Sequence, residues 1–189
     1  NVNTARQRGG SNGTITSSLA YGGYDYAPNV TNKTEKWNGT NWTEVNDMNA
    51  SKYNLPGAGV DGDSGLAIGG ATATANVGTT EVYNGTNWTE VNNLNSVTAA
   101  AGGSGTATAA LAFGGINPPD VKFTKTEQWN GTNWTEVNDL SVQKYQIGGS
   151  GSTTNSIAAG GNIAGSPEYT ATNEEWGIPS TTVKTISTD

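Results

Sequence analysis

Short apolar runs alternate with polar, Thr- and Asn-rich segments along the chain, and the pattern repeats every 46 residues. Each apolar run holds only a few residues and ends in a glycine pair, so the runs are too short for helices and predict buried strands. A variable loop and a Glu-x-aromatic segment come next, followed in three units by an Asn-Gly turn and a second Trp. These signals predict a strand, a tight turn and another strand. With a Gly-rich strand before each apolar run, every unit contains four short antiparallel strands.

The repeat is unchanged over nine residues, because Asn-Gly-Thr-Asn-Trp-Thr-Glu-Val-Asn occurs at 38–46, 84–92 and 130–138. Alignment on it gives one domain of four units, at approximately 1–46, 47–92, 93–138 and 139–189. The glycine pairs are Gly22-Gly23, Gly69-Gly70, Gly114-Gly115 and Gly160-Gly161. Four-stranded units of roughly 40–50 residues are typical of propeller blades, so the sequence predicts an all-β fold, a β-propeller of four blades.

Large aromatic residues recur at two positions of the unit. The first position holds Trp37, Tyr83, Trp129 and Trp176, and the second holds Trp42, Trp88 and Trp134. Two interpretations compete: the rings pack neighbouring blades together, or they form a row on which sugars stack. We favour packing, because one ring buries on the order of 150–250 Å² and a fixed repeat position is typical of a unit's own core.

Composition narrows the range of functions. Nine Lys and Arg against sixteen Asp and Glu give a net charge of −7 without a basic stripe to neutralise phosphates, so we expect no nucleic-acid partner. No apolar run approaches the roughly 18 residues of a spanning helix, so we expect no membrane insertion. The chain has no Cys and no His, which excludes thiolate nucleophiles, imidazole bases and the commonest zinc ligands. We expect neither a metal nor a cofactor.

The order Gly-Gly, loop, Glu-x-aromatic, turn, Trp and then a basic residue resembles the kelch motif over nearly the whole chain. The basic position holds Arg6, Lys52, Thr98 and Lys144, again 46 residues apart. The wording of the repeat, with a closing segment such as Lys184 to Thr188, is further similar to kelch-like repeat proteins of marine bacteriophages. The resemblance implies that the basic residue ties neighbouring blades together, with an anion site near the axis as the alternative.

Kelch propellers usually close with six or seven blades, so four units imply either an unusually small ring or closure by association, as in a homo-oligomer. The fourth unit departs from the repeat, because Gly177-Ile178-Pro179-Ser180 replaces the Asn-Gly hairpin. We expect the segment 181–187 to take the place of its outer strand, as in a terminal capping blade. The N-terminal segment cannot supply a full closing strand, and Val2 would add at most a short clasp.

Paired carboxylates are the remaining catalytic candidates, because a glycosidase needs one acid and one base or nucleophile. The repeated residues are Glu35, Glu81 and Glu127, with Glu44, Glu90 and Glu136. Identical residues in every blade are poor candidates for two groups with different pKa values, so we favour solvated strand positions or salt bridges to the basic series. Asp61-Gly62-Asp63 fits a calcium loop or, as we favour, a plain turn.

The loops after the glycine pairs differ completely between units, and in a propeller they would gather on one rim of the ring. Variable loops on a rigid scaffold commonly carry recognition, although solvated linkers would also vary. The candidate ligand-binding residues are Tyr24, Asp25, Tyr26, Asp120, Glu168 and Tyr169. The sequence favours a non-enzymatic recognition or display module on a virion or cell surface, with a glycan or surface protein as its partner. A structural subunit that contacts other virion proteins and a glycosidase are the alternatives.

Overall fold

Each unit of the repeat folds into its own four-stranded antiparallel sheet, which confirms the all-β prediction. The computed structural model describes residues 1–25, 29–117, 121–163 and 168–177, together with the backbone of 183–186. Blade 1 contains β1 (Gly10–Gly13), β2 (Ser18–Tyr21), β3 (Thr34–Trp37) and β4 (Trp42–Val45). Blade 2 contains β5 (Gly57–Asp61), β6 (Ser64–Ile68), β7 (Thr80–Tyr83) and β8 (Trp88–Val91).

The third blade carries one addition, a small hairpin in its variable loop that the sequence did not predict. Blade 3 contains β9 (Gly102–Gly105), β10 (Ala110–Phe113), β13 (Thr126–Trp129) and β14 (Trp134–Val137), and its loop contains β11 (Ile116–Asn117) and β12 (Val121–Lys122). Blade 4 contains β15 (Gly148–Gly151), β16 (Asn155–Ala159), β17 (Asn173–Gly177) and β18 (Val183–Ile186). Strand β18 lies within the segment expected to take the place of the outer strand.

The strands of a blade pair in chain order, which puts the Gly-rich strand at one edge of the sheet and the last strand at the other. The edge strands β1, β5, β9 and β15 lie in this order around a central cavity. The four sheets therefore form the blades of a four-blade β-propeller. Every blade uses one continuous stretch of chain, and the described residues show no strand exchanged between blades 1 and 4.

The glycine pairs turn the chain sharply after each second strand. Both members have positive φ, 63° at Gly22 and 101° at Gly23 in blade 1, a conformation that other residues adopt only at a cost. The N–H of the second glycine donates to a carbonyl in the connection to the next blade. This bond joins Gly23 to Lys52, Gly70 to Thr98 and Gly115 to Lys144. A Cβ on Gly22 would lie 2.6 Å from the Lys52 carbonyl oxygen, so the close approach requires glycine.

The two residues of each Asn-Gly turn have different roles, because the glycine adopts the positive φ and the asparagine side chain accepts hydrogen bonds. Only the glycine has positive φ, 92° at Gly39, 93° at Gly85 and 92° at Gly131. The asparagine side chain accepts N–H groups of the same turn, as Asn38 Oδ1 does from Thr40 at 2.9 Å and from Asn41 at 2.9 Å. The sequence correctly predicted a tight turn here, but the asparagine contributes an Asx-type hydrogen bond and not a positive φ.

Neighbouring blades pack through apolar clusters, one for each consecutive pair. Blades 1 and 2 bury Leu19, Tyr21, Met48, Leu55, Ala67, Tyr83 and Trp88; blades 2 and 3 bury Ala58, Leu66, Ile68, Leu94, Ala107, Ala110, Ala112, Trp129 and Trp134; blades 3 and 4 bury Leu111, Phe113, Leu140, Ile147 and Ala158. The rings of Tyr21 and Trp88 meet edge to face across the first interface, with centroids 4.8 Å apart. Packing is therefore the role of Trp88 and Trp134, whereas Trp42 and Trp176 are only half-buried.

A backbone relay also links the blades near the axis. Arg8, Asn54, Ala100 and Gln146 lie 46 residues apart and have φ between 52° and 59° although none is glycine. Each N–H from the second onward donates to the carbonyl of the equivalent residue in the preceding blade. The distances are 2.8 Å for Asn54 to Arg8, 2.7 Å for Ala100 to Asn54 and 2.6 Å for Gln146 to Ala100. The blades are thus held at one level around the axis.

Candidate binding rim

One end of the propeller, called the rim below, is built by the variable loops and the connections between blades. Each connection forms an antiparallel bridge to the loop beside it. The bridges join Gln7 to Tyr24, Tyr53 to Ala71, Ala99 to Ile116 and Tyr145 to Asn162. The loops therefore share one end of the ring. The Asn-Gly turns join the last two strands of blades 1–3 and are not part of the rim.

Four of the six predicted binding residues fall within the described part of the chain. Tyr24 and Asp25 lie in the loop of blade 1, where Asp25 Oδ1 accepts the Asn29 N–H at 3.2 Å. Glu168 and Tyr169 lie in the loop of blade 4, and the Tyr169 side chain is 69% exposed. Tyr26 and Asp120 lie outside the described residues. The structure thus puts predicted residues of blades 1 and 4 on the same rim.

Two tyrosines meet where the loop of blade 1 lies beside the connection to blade 2. The rings of Tyr24 and Tyr53 have centroids 4.1 Å apart and are tilted by 44°. A hydrogen bond between the two side chains raises the pKa of Tyr24, so the Tyr24 hydroxyl stays protonated at physiological pH. Beside Tyr24 lies a cleft of about 210 Å³, lined by Ala5, Arg6, Gln7 and Asp25 as well as Tyr24. An amphipathic platform and a hydrogen-bonding cleft are therefore adjacent.

Sequence reasoning missed two rim tyrosines, Tyr53 and Tyr145. Tyr145 lies under the Lys122 ammonium, with Nζ 5.7 Å from the ring centroid, a cation–π contact. Each tyrosine directly follows the buried lysine of its connection, and the two lie at equivalent positions of the repeat, 46 and 138 residues after Gln7. A comparison of the connections between units, in addition to the loops, would have found them.

The basic residues beneath the rim anchor each connection to the blade that follows it, and the carbonyls of Lys52 and Lys144 accept the Gly23 and Gly115 N–H groups of the preceding blades. Lys52 and Lys144 are fully buried and pair with Glu81 at 3.1 Å and Glu174 at 2.9 Å, and Arg6 pairs with Glu35. Burial lowers the pKa of Lys52, an effect that the Glu81 carboxylate opposes. Both lysines are enclosed and face a glutamate carboxylate, which favours the structural role over an anion site near the axis.

Thr98 breaks the basic series without leaving its glutamate unpaired. Its hydroxyl bonds to the Gly114 carbonyl, while Glu127 accepts the backbone N–H groups of Asn95 and Ser96, each at 2.8 Å, and the Asn95 amide at 2.9 Å. Glu35 likewise accepts backbone N–H groups from Asn3 and Thr4. These glutamates therefore anchor the connections between blades.

The other carboxylates of the repeat lie on the outer strands. Glu44 pairs with Lys33 at 2.5 Å and Glu136 with Lys125 at 2.8 Å, and all four side chains are largely exposed. Asp61-Gly62-Asp63 forms a turn in which Asp61 Oδ1 accepts the Asp63 N–H at 2.8 Å. The described residues contain no cluster of acidic side chains suited to a metal ion.

The axis offers a second concavity of about 240 Å³. Its wall is made of the Gly-rich strands β1, β5, β9 and β15, with Ser11, Asn12, Ser104 and Ser150 among the few side chains. Because these strands consist mostly of small residues, backbone groups line much of the cavity and no aromatic ring is among the described lining residues. The rim, which combines tyrosines with acidic residues, is the better candidate for selective binding.

The chain matches no protein-family model and no curated protein. In the part of the chain that the structure describes, no helix is long and apolar enough to cross a membrane.

Proposed function

We propose that the protein is a non-enzymatic binding module that recognises a glycan through its rim. The observation that carries the proposal is the contact between Tyr24 and Tyr53 beside the cleft formed with Asp25. The exposed Tyr169 ring adds a second aromatic surface on the same rim. The proposal extends to the kelch-like character of the repeat and to a location on a virion or cell surface, both supported by the resemblance of the repeat wording to phage proteins.

Sugars suit this surface for a chemical reason. The apolar face of a pyranose ring packs on a flat, amphipathic ring, while its hydroxyl groups need acceptors and donors at the edge. Tyr24 and Tyr53 supply the ring faces, and Asp25 with Gln7 supplies polar edges around the cleft. The rigid sheet beneath the loops limits the entropy lost when a weak ligand binds.

The occupied carboxylates favour binding over hydrolysis. Glu35 and Glu81 accept hydrogen bonds from the connections, and Glu44 pairs with a surface lysine. A glycosidase needs two carboxyl groups on either side of a sugar bond, one of them holding a proton at working pH. Carboxylates committed to blade packing do not provide that pair.

Binding to an array of bacterial and algal polysaccharides tests the proposal. We expect wild-type protein to bind a subset of glycans, and Tyr24→Ala, Tyr53→Ala and Tyr169→Ala each to weaken that binding at least several-fold. Thr86→Ala, in an Asn-Gly turn, is the matched control and should bind like wild type. Glycan binding that survives all three tyrosine substitutions would overturn the rim site. Binding to no glycan, with capture of a surface protein instead, would overturn the ligand class, and release of free sugar would overturn the non-enzymatic assignment.

A further inference from the structure

The fourth interface of the ring differs from the other three. Strands β1 and β5, β5 and β9, and β9 and β15 lie against each other, but β15 and β1 make no comparable contact. The backbone relay is likewise incomplete, because no hydrogen bond among the described residues joins the Arg8 N–H to the Gln146 carbonyl. No apolar cluster spans blades 4 and 1 in the described part of the chain. In the part of the chain that the structure describes, the two terminal blades therefore each present an uncovered face.

The uncovered face of blade 1 carries the residues that blades 2 to 4 bury. Ala20 is equivalent to Ala67, Ala112 and Ala158, which are 0%, 4% and 5% exposed, yet Ala20 is half-buried. Trp42 is equivalent to Trp88 and Trp134, each 5% exposed, and is also half-buried. The same apolar pattern is thus present in blade 1, but no blade packs on it.

Among these residues of blade 1, Ile15 shows the largest difference in exposure from its equivalent in another blade. It is equivalent to Ala107, since the indole of Trp37 donates to the Ile15 carbonyl at 2.8 Å as Trp129 does to that of Ala107 at 3.1 Å. Ala107 packs in the cluster between blades 2 and 3 and is 4% exposed, whereas Ile15 is 92% exposed. A large apolar side chain thus stands in water where the equivalent small one is buried.

Blade 4 carries the complementary face. Ile157 and Glu175 pair across β16 and β17, as Leu66 and Val82 pair across β6 and β7, where Ala107 packs. Leu66 is fully buried, but Ile157 is half-exposed and Glu175 exposed. They line a concavity of about 360 Å³ together with Ser150. The position that would receive an Ala107 equivalent is therefore open and larger than needed for alanine.

We propose that this concavity on blade 4 receives Ile15 of a second copy of the protein, in a head-to-tail contact that repeats the geometry of the internal blade interfaces. The indole of Trp42 then lies opposite Asn173, which occupies the position of Thr34 and Thr80 in the sheet register and offers an amide oxygen. The occupant is a second copy because the chain holds both halves of the interface and its own two faces do not meet among the described residues. This inference does not depend on the proposed glycan binding.

Stoichiometry follows from closure. A head-to-tail contact uses two different surfaces, so it generates a ring when the rotation closes. Propellers typically have 4–8 blades, and two copies of four blades give eight. We therefore expect a closed dimer.

Molar mass in solution, measured by sedimentation equilibrium over a series of concentrations, tests the contact. Wild type should rise from the monomer mass of 19.4 kDa to twice that value. Ile15→Glu should remain monomeric at concentrations where wild type is dimeric, because its charge would face Glu175. Since the Ile15 side chain is 92% exposed, this substitution leaves the fold of the single copy unchanged, which circular dichroism verifies. A wild-type protein that stays monomeric, or an Ile15→Glu variant that dimerises fully, would overturn the proposal.

Three further variants identify the surfaces. Val121→Glu places the same charge on a side chain of blade 3 that is 52% exposed and should dimerise like wild type. Adding Glu175→Lys to Ile15→Glu should restore the dimer through opposite charges. Ile157→Glu alone should be monomeric, and mixing it with Ile15→Glu should yield a heterodimer with one intact interface. A dimer that survives Ile157→Glu and Glu175→Lys but not Ile15→Glu would join blade 1 to blade 1 and overturn the head-to-tail arrangement.

Discussion

The indole Nε1 of Trp134 donates a hydrogen bond to the hydroxyl of Thr80 at 3.0 Å, across the interface between blades 2 and 3. Trp88 makes the same bond to Thr34, also at 3.0 Å, between blades 1 and 2. At the next interface the strand register places Val183 opposite Trp176, where Trp134 stands opposite Trp129.

Thr126, the equivalent of Thr80, consequently has no donor. Its hydroxyl is buried without a hydrogen-bond partner, next to a cavity of about 10 Å³ lined by Leu111, Phe113 and Trp176 among others. An unpaired buried hydroxyl costs about 1–3 kcal/mol. Blade 4 has no tryptophan at the position equivalent to Trp134, and the Thr126 hydroxyl of blade 3 is therefore left without a hydrogen bond.

Thr126→Val should raise the free energy of unfolding by about 1 kcal/mol, because valine has the same shape and no polar group to satisfy. Thr80→Val is the matched control, and it should lower the free energy of unfolding by about 1–3 kcal/mol because the Trp134 N–H loses its acceptor. Denaturant titration followed by tryptophan fluorescence measures both. Equal effects at the two sites would show that the hydroxyl of Thr126 is satisfied.

Lys52→Met should lower the free energy of unfolding by about 3–5 kcal/mol, because it leaves the Glu81 carboxylate buried without its cation. Lys33→Met removes a cation from an exposed pair with Glu44 and should lower the free energy of unfolding far less, because water screens that pair. Thermal or chemical unfolding of the two variants gives the comparison. Similar small costs would contradict the structural role of the buried pair.

Acid should destabilise the protein partly through Glu35. Burial alone would raise the pKa of Glu35, but N–H groups of Asn3 and Thr4 and the Arg6 guanidinium outweigh it and lower that pKa. The carboxylate therefore adds stability above the unfolded-state pKa of about 4.3, and this stability is lost as pH falls through the lowered value. Glu35→Gln should flatten the decline of stability below about pH 4.3 relative to wild type. Unfolding midpoints measured across this pH range test the prediction. If the midpoints of Glu35→Gln and wild type fall in parallel, Glu35 does not contribute to the acid sensitivity.

Trp88→Ala should cost about 3–5 kcal/mol, as expected when a buried aromatic side chain is removed from a packed interface. Trp42→Ala removes the equivalent, half-buried indole and should cost clearly less in dilute solution. If copies associate head to tail, the cost of Trp42→Ala should grow with protein concentration while that of Trp88→Ala stays constant. Unfolding curves at two concentrations provide the test.

Ala100→Gly should raise the free energy of unfolding by about 1 kcal/mol, because a non-glycine residue in the left-handed region carries roughly that penalty. The φ of Ala100 is 56°, and its N–H and carbonyl both take part in the relay between blades. Ala112→Gly, at a buried position on β10, should instead lower the free energy of unfolding. A loss at both positions would mean that the relay tolerates alanine without strain.

The sequence predicted the scaffold well because the scaffold is what repeats. Identical nine-residue segments adopt the same turn and strand, and the Lys52–Glu81 pair matches one of the two interpretations that the fixed spacing favours, a salt bridge to the basic series. The sequence could not predict the open face of blade 1. Trp42 and Trp88 lie in identical segments and differ only in whether a neighbouring blade covers them. Local pattern carries no information on that difference.

The sequence predicts that the variable loops gather on one rim, but it does not predict which residues of the rim contact each other. The variation of their loops predicts Tyr24 and Tyr169 as binding residues, whereas Tyr53 lies in a connection whose repeated residue, Lys52, indicates only blade packing. The contact between Tyr24 and Tyr53 joins residues of two blades, so it depends on how far one sheet is rotated from the next. Rotation between sheets is a property of packing and not of the pattern within a unit.

Because each blade is made from one uninterrupted stretch of chain, its sheet can be completed while the protein is still being synthesised. All four strands of blade 1 lie before residue 46, so its sheet can form before the later units are synthesised, and those units then pack on a face that is already formed. Pairing between neighbours in sequence also keeps the loops that must close short, which favours rapid folding. A gene that gains or loses one copy of the unit would lengthen or shorten the array without disturbing the blades already in place.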